Sequence, residues 1–472
     1  MFLDILKIFF INLFITLSTL IPQRTLSIGF TGEPVSFLPH QAQNDSEKAV
    51  SDMVFRKLFK FEEGELVNDL IEKYSVSDDN AQYTLKLKPD LYWQDRTKIT
   101  SDDILYTLTL YESLRNELEI EKISDQEILI RLPTPTAILP SLLTFGLEPS
   151  HLQNQSQLTP TGSSSYRISR IIREGSKIHG VILQSYEKNK QYNRVTFRFY
   201  KNENDLKTAY KLGEIVAFLS DADFSYKNLE SESVNFIGRY FTLIFNTQDI
   251  KLENTELRVL LRDSLDIETF LSTQNYHANS IKAEGPISFS DPYTSLLFKQ
   301  STYKPDVKLS PAQQNLVKEL EVLLPNNQDG RQIAPLIKEG WEKSLGISIN
   351  IQYLELSELL DKAKDGAFEV LFVGHEVTPD PDRYIFWHST QMRNLNLARF
   401  EDLRADAALE EGRRTDNEED RIGHYSIFQD VINTKTPAVF IYHPGKYFYH
   451  SNKYPVPLPK KLYYPSEIIK NL

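Results

Sequence analysis

The chain has 472 residues, too many for one ordinary core, and its 40% hydrophobic, 11% aromatic and 25% charged composition is that of a folded protein. A net charge of -12 without any basic segment excludes nucleic acid as the expected partner, because displacing counterions from phosphates needs a cationic footprint. With no cysteine there are no disulfides, no thiolate metal sites, no cysteine nucleophile and no residue to carry a lipoprotein's lipid.

Residues Ile5–Ile21 are almost wholly apolar. A helix of this length spans roughly 25 Å, a little short of a ~30 Å hydrocarbon core. Lys7 is offset by Asp4 and no A-x-A cleavage box follows. The segment is read as an export signal or, preferably, an uncleaved anchor. The expected location is extracytoplasmic: the periplasm or the outer face of the cytoplasmic membrane.

A strand is expected over Thr25–Thr31, ended by Gly32-Glu33-Pro34. Ser46 is placed as the cap of a helix whose Val50, Met53, Val54 and Leu58 make one apolar face. Tyr83–Lys88 alternates as a half-buried strand. Thr100 and Asp103 form a capping-box start for a helix carrying Ile104, Leu108, Tyr111, Leu114 and Leu118. Ile128, Ile130 and Leu132 give another strand. The polar loop Pro149–Ser165 is the expected internal boundary. Strands follow at Tyr166–Ile172, Ile178–Gln184 and Val195–Tyr200, then a helix at Asp205–Leu212 and a strand at Ile215–Leu219.

The last third reads as a βαβ unit. Ile347, Ile349, Ile351 and Tyr353 alternate, Leu356, Leu359, Leu360 and Ala363 share a helical face, and Phe368–Val373 is continuously apolar. Ligands of open α/β sheets gather beyond the C-terminal ends of such strands, which directs attention to Gly374–Asp382. Glu401–Arg421 reads as a solvated helical surface and Phe440–His450 as a core strand pair.

Candidate chemistry is sparse. Asp380 and Asp382 lie near His375, Glu376 and His388, but the spacing is neither HExxH nor an EF-hand loop, and Pro379 and Pro381 favour turn and helix-cap roles. No metal, cofactor or catalytic residue is expected. Gly162–Ser165 lacks the pattern of a nucleophile elbow or a phosphate loop and reads as a connection between lobes.

Taken in order, these segments resemble the bacterial dipeptide- and oligopeptide-binding proteins, the extracytoplasmic solute-binding family 5 of ABC importers. TLSIGFTGEPVSFLPH is similar to the family's opening strand and E-P-x-S-L-x-P. The stretch Tyr74–Tyr111, TPTGSSSYRIS, the FTLIFNTQDI segment with its following helix, Glu284-Gly285-Pro286-Ile287, the unit ending in PDPD, and TDNEEDRIGHYSIFQDVINTKTPAVFIY complete the set. The resemblance implies an α/β, two-lobed periplasmic-binding-protein-like fold with an extra inserted domain, mixed sheets and a hinge. Lobe I would comprise 25–45, 161–246 and 438–472, the inserted domain 46–160 and lobe II 247–437, with 1–24 as signal or anchor. It further implies a receptor that is not an enzyme, encloses a peptide or peptide-like solute through strand-like hydrogen bonds, and delivers it as a monomer to ABC permease subunits. The alternatives are a peptide-sensing or chaperone-like module without a transporter, and a metal-dependent hydrolase using Glu376 and Asp380.

Family members that bind peptides place an Asp a few residues past the Gly of the second-lobe strand, where it pairs with the ligand's α-ammonium. Here Gly374 is followed by His375, Glu376, Val377 and Thr378, so that place holds Val377 or Thr378, and Glu376 is the candidate substitute in a shifted register. Gln43 corresponds to a hinge-side contact. The expected ligand-binding residues are Gln43, Gly374, His375, Glu376, Thr378 and Asp380.

Overall fold

The computed structural model describes residues 25–115, 118–187, 190–273, 279–288, 300 and 303–472; the apolar segment Ile5–Ile21 lies outside them. Two large sheets organise the chain, giving the two-lobed α/β fold. The first has seven strands, in the order Leu229–Asn235, Gly445–Ser451, Ala217–Ser220, Thr25–Thr31, Arg194–Tyr200, Lys177–Ser185 and Tyr166–Glu174. Thr25–Thr31 sits in its middle, parallel to strands on both sides. Leu26, Ile28 and Phe30 are buried there. A Cβ on Gly29 would come within 2.6 Å of Leu206 and Ile215, so the bare backbone lets the Glu203–Leu212 helix lie directly on the strand.

The inserted region carries a four-stranded antiparallel sheet, Ile71–Val76, Gln82–Leu87, Glu127–Arg131 and Glu119–Ser124, and a Phe59–Glu62/Glu65–Asn68 hairpin. Asp103 does more than cap its helix. Its carboxylate accepts from the Thr100 amide at 2.9 Å, the Trp93 indole at 3.2 Å and the Ser150 amide at 2.7 Å, so one buried acid ties three segments together. The Pro149–Ser165 loop returns the chain to the first sheet against the end of the Asp45–Val54 helix. Ser163 and Ser164 amides donate to the Val54 carbonyl, and a Cβ on Gly162 would lie 2.0 Å from that oxygen. The Asp45–Val54 helix starts earlier than a Ser46 cap allows: the Asn44 side chain accepts from the Glu47 amide and Glu47 returns to the Asn44 amide, while Ser46 donates to Asn44.

The second sheet has six strands, ordered Ile281–Lys282, Ala438–His443, Arg239–Phe245, Val370–Glu376, Glu319–Pro325 and Ser348–Leu354. The expected βαβ unit exists, but its two strands are not neighbours, because Glu319–Pro325 lies between them, parallel to both. Burial explains the order. Glu319–Pro325 is apolar on both faces, with Leu320, Val322, Leu323 and Leu324 buried, and belongs inside a sheet. Ser348–Leu354 has no fully buried residue and takes the edge.

The chain passes between the sheets at Phe236–Gly238 and at Pro444, and these crossings are tied by the Phe236 amide donating to the Pro444 carbonyl at 2.9 Å. Phe440–His450 is therefore not a strand pair: Ala438–His443 belongs to the second sheet and Gly445–Ser451 to the first. The six-stranded sheet also takes in Arg239–Phe245 and Ala438–His443, strands that boundaries at 246 and 438 assign to the other lobe. The mixed-charge run Glu401–Arg421 is not a plain solvated surface. It enters two helices, Leu403–Arg414 and Glu418–Lys435, buries Ala405, Ala408 and Leu409, and turns Arg413 and Arg421 inward onto carboxylates.

Candidate functional site

The Val370–Glu376 strand runs parallel to Glu319–Pro325, so its C-terminal end lies at the edge where ligands of such sheets gather. Antiparallel pairing sets Arg239 opposite Glu376, which brings the first residue of one strand and the last of the other to the same edge. Across from them stands the Asp45–Val54 helix, where Asp45 and Lys48, one turn apart, share a face.

Four charges meet here. Glu376 accepts from Lys48 at 2.5 Å and from Arg239 at 3.1 Å, through different carboxylate oxygens, and Arg239 reaches back to Asp45 at 2.8 Å. All four side chains are between a quarter and two-fifths exposed, so solvent reaches the group. Burial opposes the charge of Glu376, but Lys48 and then Arg239 outweigh it and hold its carboxyl below the ordinary range. The C-terminal tail closes this edge: Tyr464 donates through its hydroxyl to the Val377 carbonyl at 2.7 Å. The Val377 amide donates to Gly238 at 2.8 Å.

Side chains alternate along a strand, so Gly374 and Glu376 face one way and His375 the other. Gly374, Glu376 and Thr378 are exposed; His375 is 5% exposed. Its ring packs on Tyr240 at 5.1 Å and Phe386 at 5.1 Å, and Nε2 lies 3.2 Å from the Thr242 hydroxyl. Burial, with Arg383 adding to it, pushes the imidazole down to about 4, so this ring is neutral at ordinary pH. The structure thus separates His375 from Glu376. Gln43 is exposed in the turn before the helix that carries Asp45 and Lys48, its amide donating to Glu47 at 2.8 Å.

Asp380 is buried. It accepts from Arg421 at 2.8 Å, from the Ser141 hydroxyl at 2.9 Å and from the Asp382 amide at 2.9 Å. Asp382 accepts from Arg413 and from the Tyr384 amide. Arg383 braces the turn from inside, donating to the Pro286 carbonyl at 2.7 Å and the Asp380 carbonyl at 2.6 Å. This is the turn and cap arrangement expected of the Pro-Asp-Pro-Asp segment. It is also an interlobe contact, because the inserted region donates to it through Ser141 and, nearby, through the Ala137 amide to Arg413 and Asn80 to Arg414. Glu376 and Asp380, the pair a hydrolytic reading needs, hold different partners and do not touch through any of these bonds. A cavity of about 290 Å³ lies elsewhere, lined by Arg262, Asp266, Glu268, Lys282, Gln300 and Tyr303, with none of the expected residues.

Sequence reasoning missed Lys48, Asp45, Arg239 and Tyr464. The Asp45/Lys48 spacing was readable as a helical face, but nothing local points that face at Glu376, 328 positions away.

Comparison with known proteins adds the family. The model for bacterial extracellular solute-binding proteins, family 5 (middle), matches residues 65–395. The oligopeptide-binding protein AppA of Bacillus subtilis is 22% identical over 475 residues, which cover 89% of this chain and 86% of that protein. The ABC transporter substrate-binding protein CtaP of Listeria monocytogenes superposes with a TM-score of 0.76 at 21% identity, over 94% of this chain and 98% of that one. NikZ of Campylobacter jejuni, solved with Ni(L-His), does so with 0.75 at 21% identity, over 95% and 98%.

Proposed function

We propose a function from one premise: the chain belongs to the bacterial extracellular solute-binding proteins of family 5. It is a solute-binding receptor. Our reading is that its solute is a peptide or peptide-like molecule, held between the lobes and passed to the permease subunits of an ABC importer. The relative named as oligopeptide-binding supports the peptide class, and the transporter named for a structural neighbour supports the importer. In this reading the chain works outside the cytoplasm, attached or exported through Ile5–Ile21, as a monomer, and binds without catalysing.

The observation that carries the proposal is the interlobe edge itself. Half-exposed charged groups from both lobes converge on the C-terminal end of a parallel strand, where an enclosed ligand would touch them. We take the segments 25–45, 161–238 and 444–472 with the inserted 46–160 as one closing body and 239–443 as the other, hinged at Phe236–Gly238 and Pro444, where the chain passes between the sheets. A peptide backbone would lie along exposed Gly374, Glu376 and Thr378, with Gln43 opposite and Asp380 bracing the turn beneath. Glu376 would take the ligand's ammonium in exchange for Lys48.

Native mass spectrometry of the purified protein tests this. A ladder of short peptides travelling with the chain is the expected result. A single non-peptide mass would keep the receptor and replace the ligand class. An empty protein that also ignores a peptide library would overturn the peptide reading.

A further inference from the structure

We infer that Lys48 is a tethered stand-in for a ligand's ammonium on Glu376: it draws the empty lobes together and disfavours ligands that present a free ammonium there. The inference rests on the reading that Glu376 faces the ligand.

The two cations on Glu376 are not equivalent. Arg239 is fixed, since it begins a strand paired in register with Glu376 and also holds Asp45 through both terminal nitrogens, at 2.8 and 3.3 Å. Lys48 has one ionic partner among the described residues, Glu376 at 2.5 Å, and a flexible four-carbon stem that can swing into solvent. Its side chain is 29% exposed, so solvent already reaches part of it.

Charge balance gives the selectivity. Asp45 and Glu376 match Lys48 and Arg239, and the quartet is neutral. An arriving ammonium adds a third cation unless Lys48 withdraws. A blocked or neutral ligand end leaves the quartet intact. Because Lys48 is tethered beside Glu376, it competes at an effective concentration of about millimolar. It also spans the lobes, from the Asp45–Val54 helix to the Val370–Glu376 strand, so its bond is one of closure even without ligand.

The probe is a tetrapeptide pool and its N-acetylated counterpart, titrated calorimetrically into the full chain, wild type, Lys48→Gln and Lys48→Arg. The ratio of free-amine to acetylated affinity should rise about two- to fivefold in Lys48→Gln, the strength of one exposed ion pair, and stay near wild type in Lys48→Arg. A ratio that is unchanged or falls in Lys48→Gln overturns the inference. A second readout separates it from the peptide reading. The chain has no native cysteine, so spin labels at Lys211→Cys and Glu358→Cys report interlobe distance cleanly. Without ligand, Lys48→Gln should shift the distance distribution to longer values. If no peptide binds any variant, the peptide reading falls alone and the distance decides: longer supports the stand-in, unchanged overturns it.

Discussion

Glu376 and Asp380 stand four positions apart on one segment, and each carboxylate is held by an arginine and at least one further donor. They differ in burial. Asp380 is 8% exposed and Arg421 13%, with Ser141 and a backbone amide filling the remaining acceptor positions. Glu376 is 39% exposed, and one of its partners is a lone lysine from the other lobe. The same chemistry gives a fixed brace in one place and an exchangeable contact in the other. Solvent access decides which, because a half-exposed ion can trade protein partners for water or ligand, whereas a buried one that loses its partner is left uncompensated.

The largest expected effect breaks the brace. Arg421→Met leaves Asp380 buried without its cation and should cost about 3–5 kcal/mol, read as a lower urea midpoint. A loss under about 1 kcal/mol would mean that the two carboxylates are alike after all.

Acid should then separate the two sites by sign. Glu376 has a folded pKa below its ordinary value, so its contribution is complete above about 4.5 and is lost as pH falls through the depressed folded value. Burial, against Arg413, raises Asp382, so its charged form disfavours folding and acid relieves that penalty as pH falls through the raised value. The stability differences of Glu376→Gln and Asp382→Asn from wild type should therefore both shrink as pH is lowered, with opposite slopes.

Near neutral pH, Glu376→Gln should cost less than about 1 kcal/mol, and the cost should shrink in high salt. A large, salt-independent loss would turn this site into a second brace. The smallest effect on ligand binding is expected at His375→Phe, which keeps the aromatic stack and loses one bond to Thr242: about 1 kcal/mol in stability and no change in ligand affinity. A marked affinity loss there would return His375 to the ligand.

Local patterns were legible wherever one face of an element meets one core. The Thr25–Thr31 strand, the Thr100/Asp103 start and the Asp205–Leu212 helix, which in the structure begins two residues earlier at Glu203, are read from local sequence alone. The Pro-Asp-Pro-Asp turn was legible from its prolines. Two readings failed for one reason. The interposed Glu319–Pro325 strand and the splitting of Phe440–His450 between sheets depend on which distant strands pair, and alternation along a segment does not specify its neighbours.

The sequence by itself determined the family, the α/β class, the order of segments and the strand end at Gly374–Asp382 as the place to look, because these reside in composition, motif order and short-range periodicity. Only the tertiary structure decided that His375 points inward, that Arg239 stands opposite Glu376, and that Lys48 reaches that carboxylate from the other lobe. Sheet register and interlobe ion pairs join residues more than a hundred positions apart, and no local pattern of side chains records them.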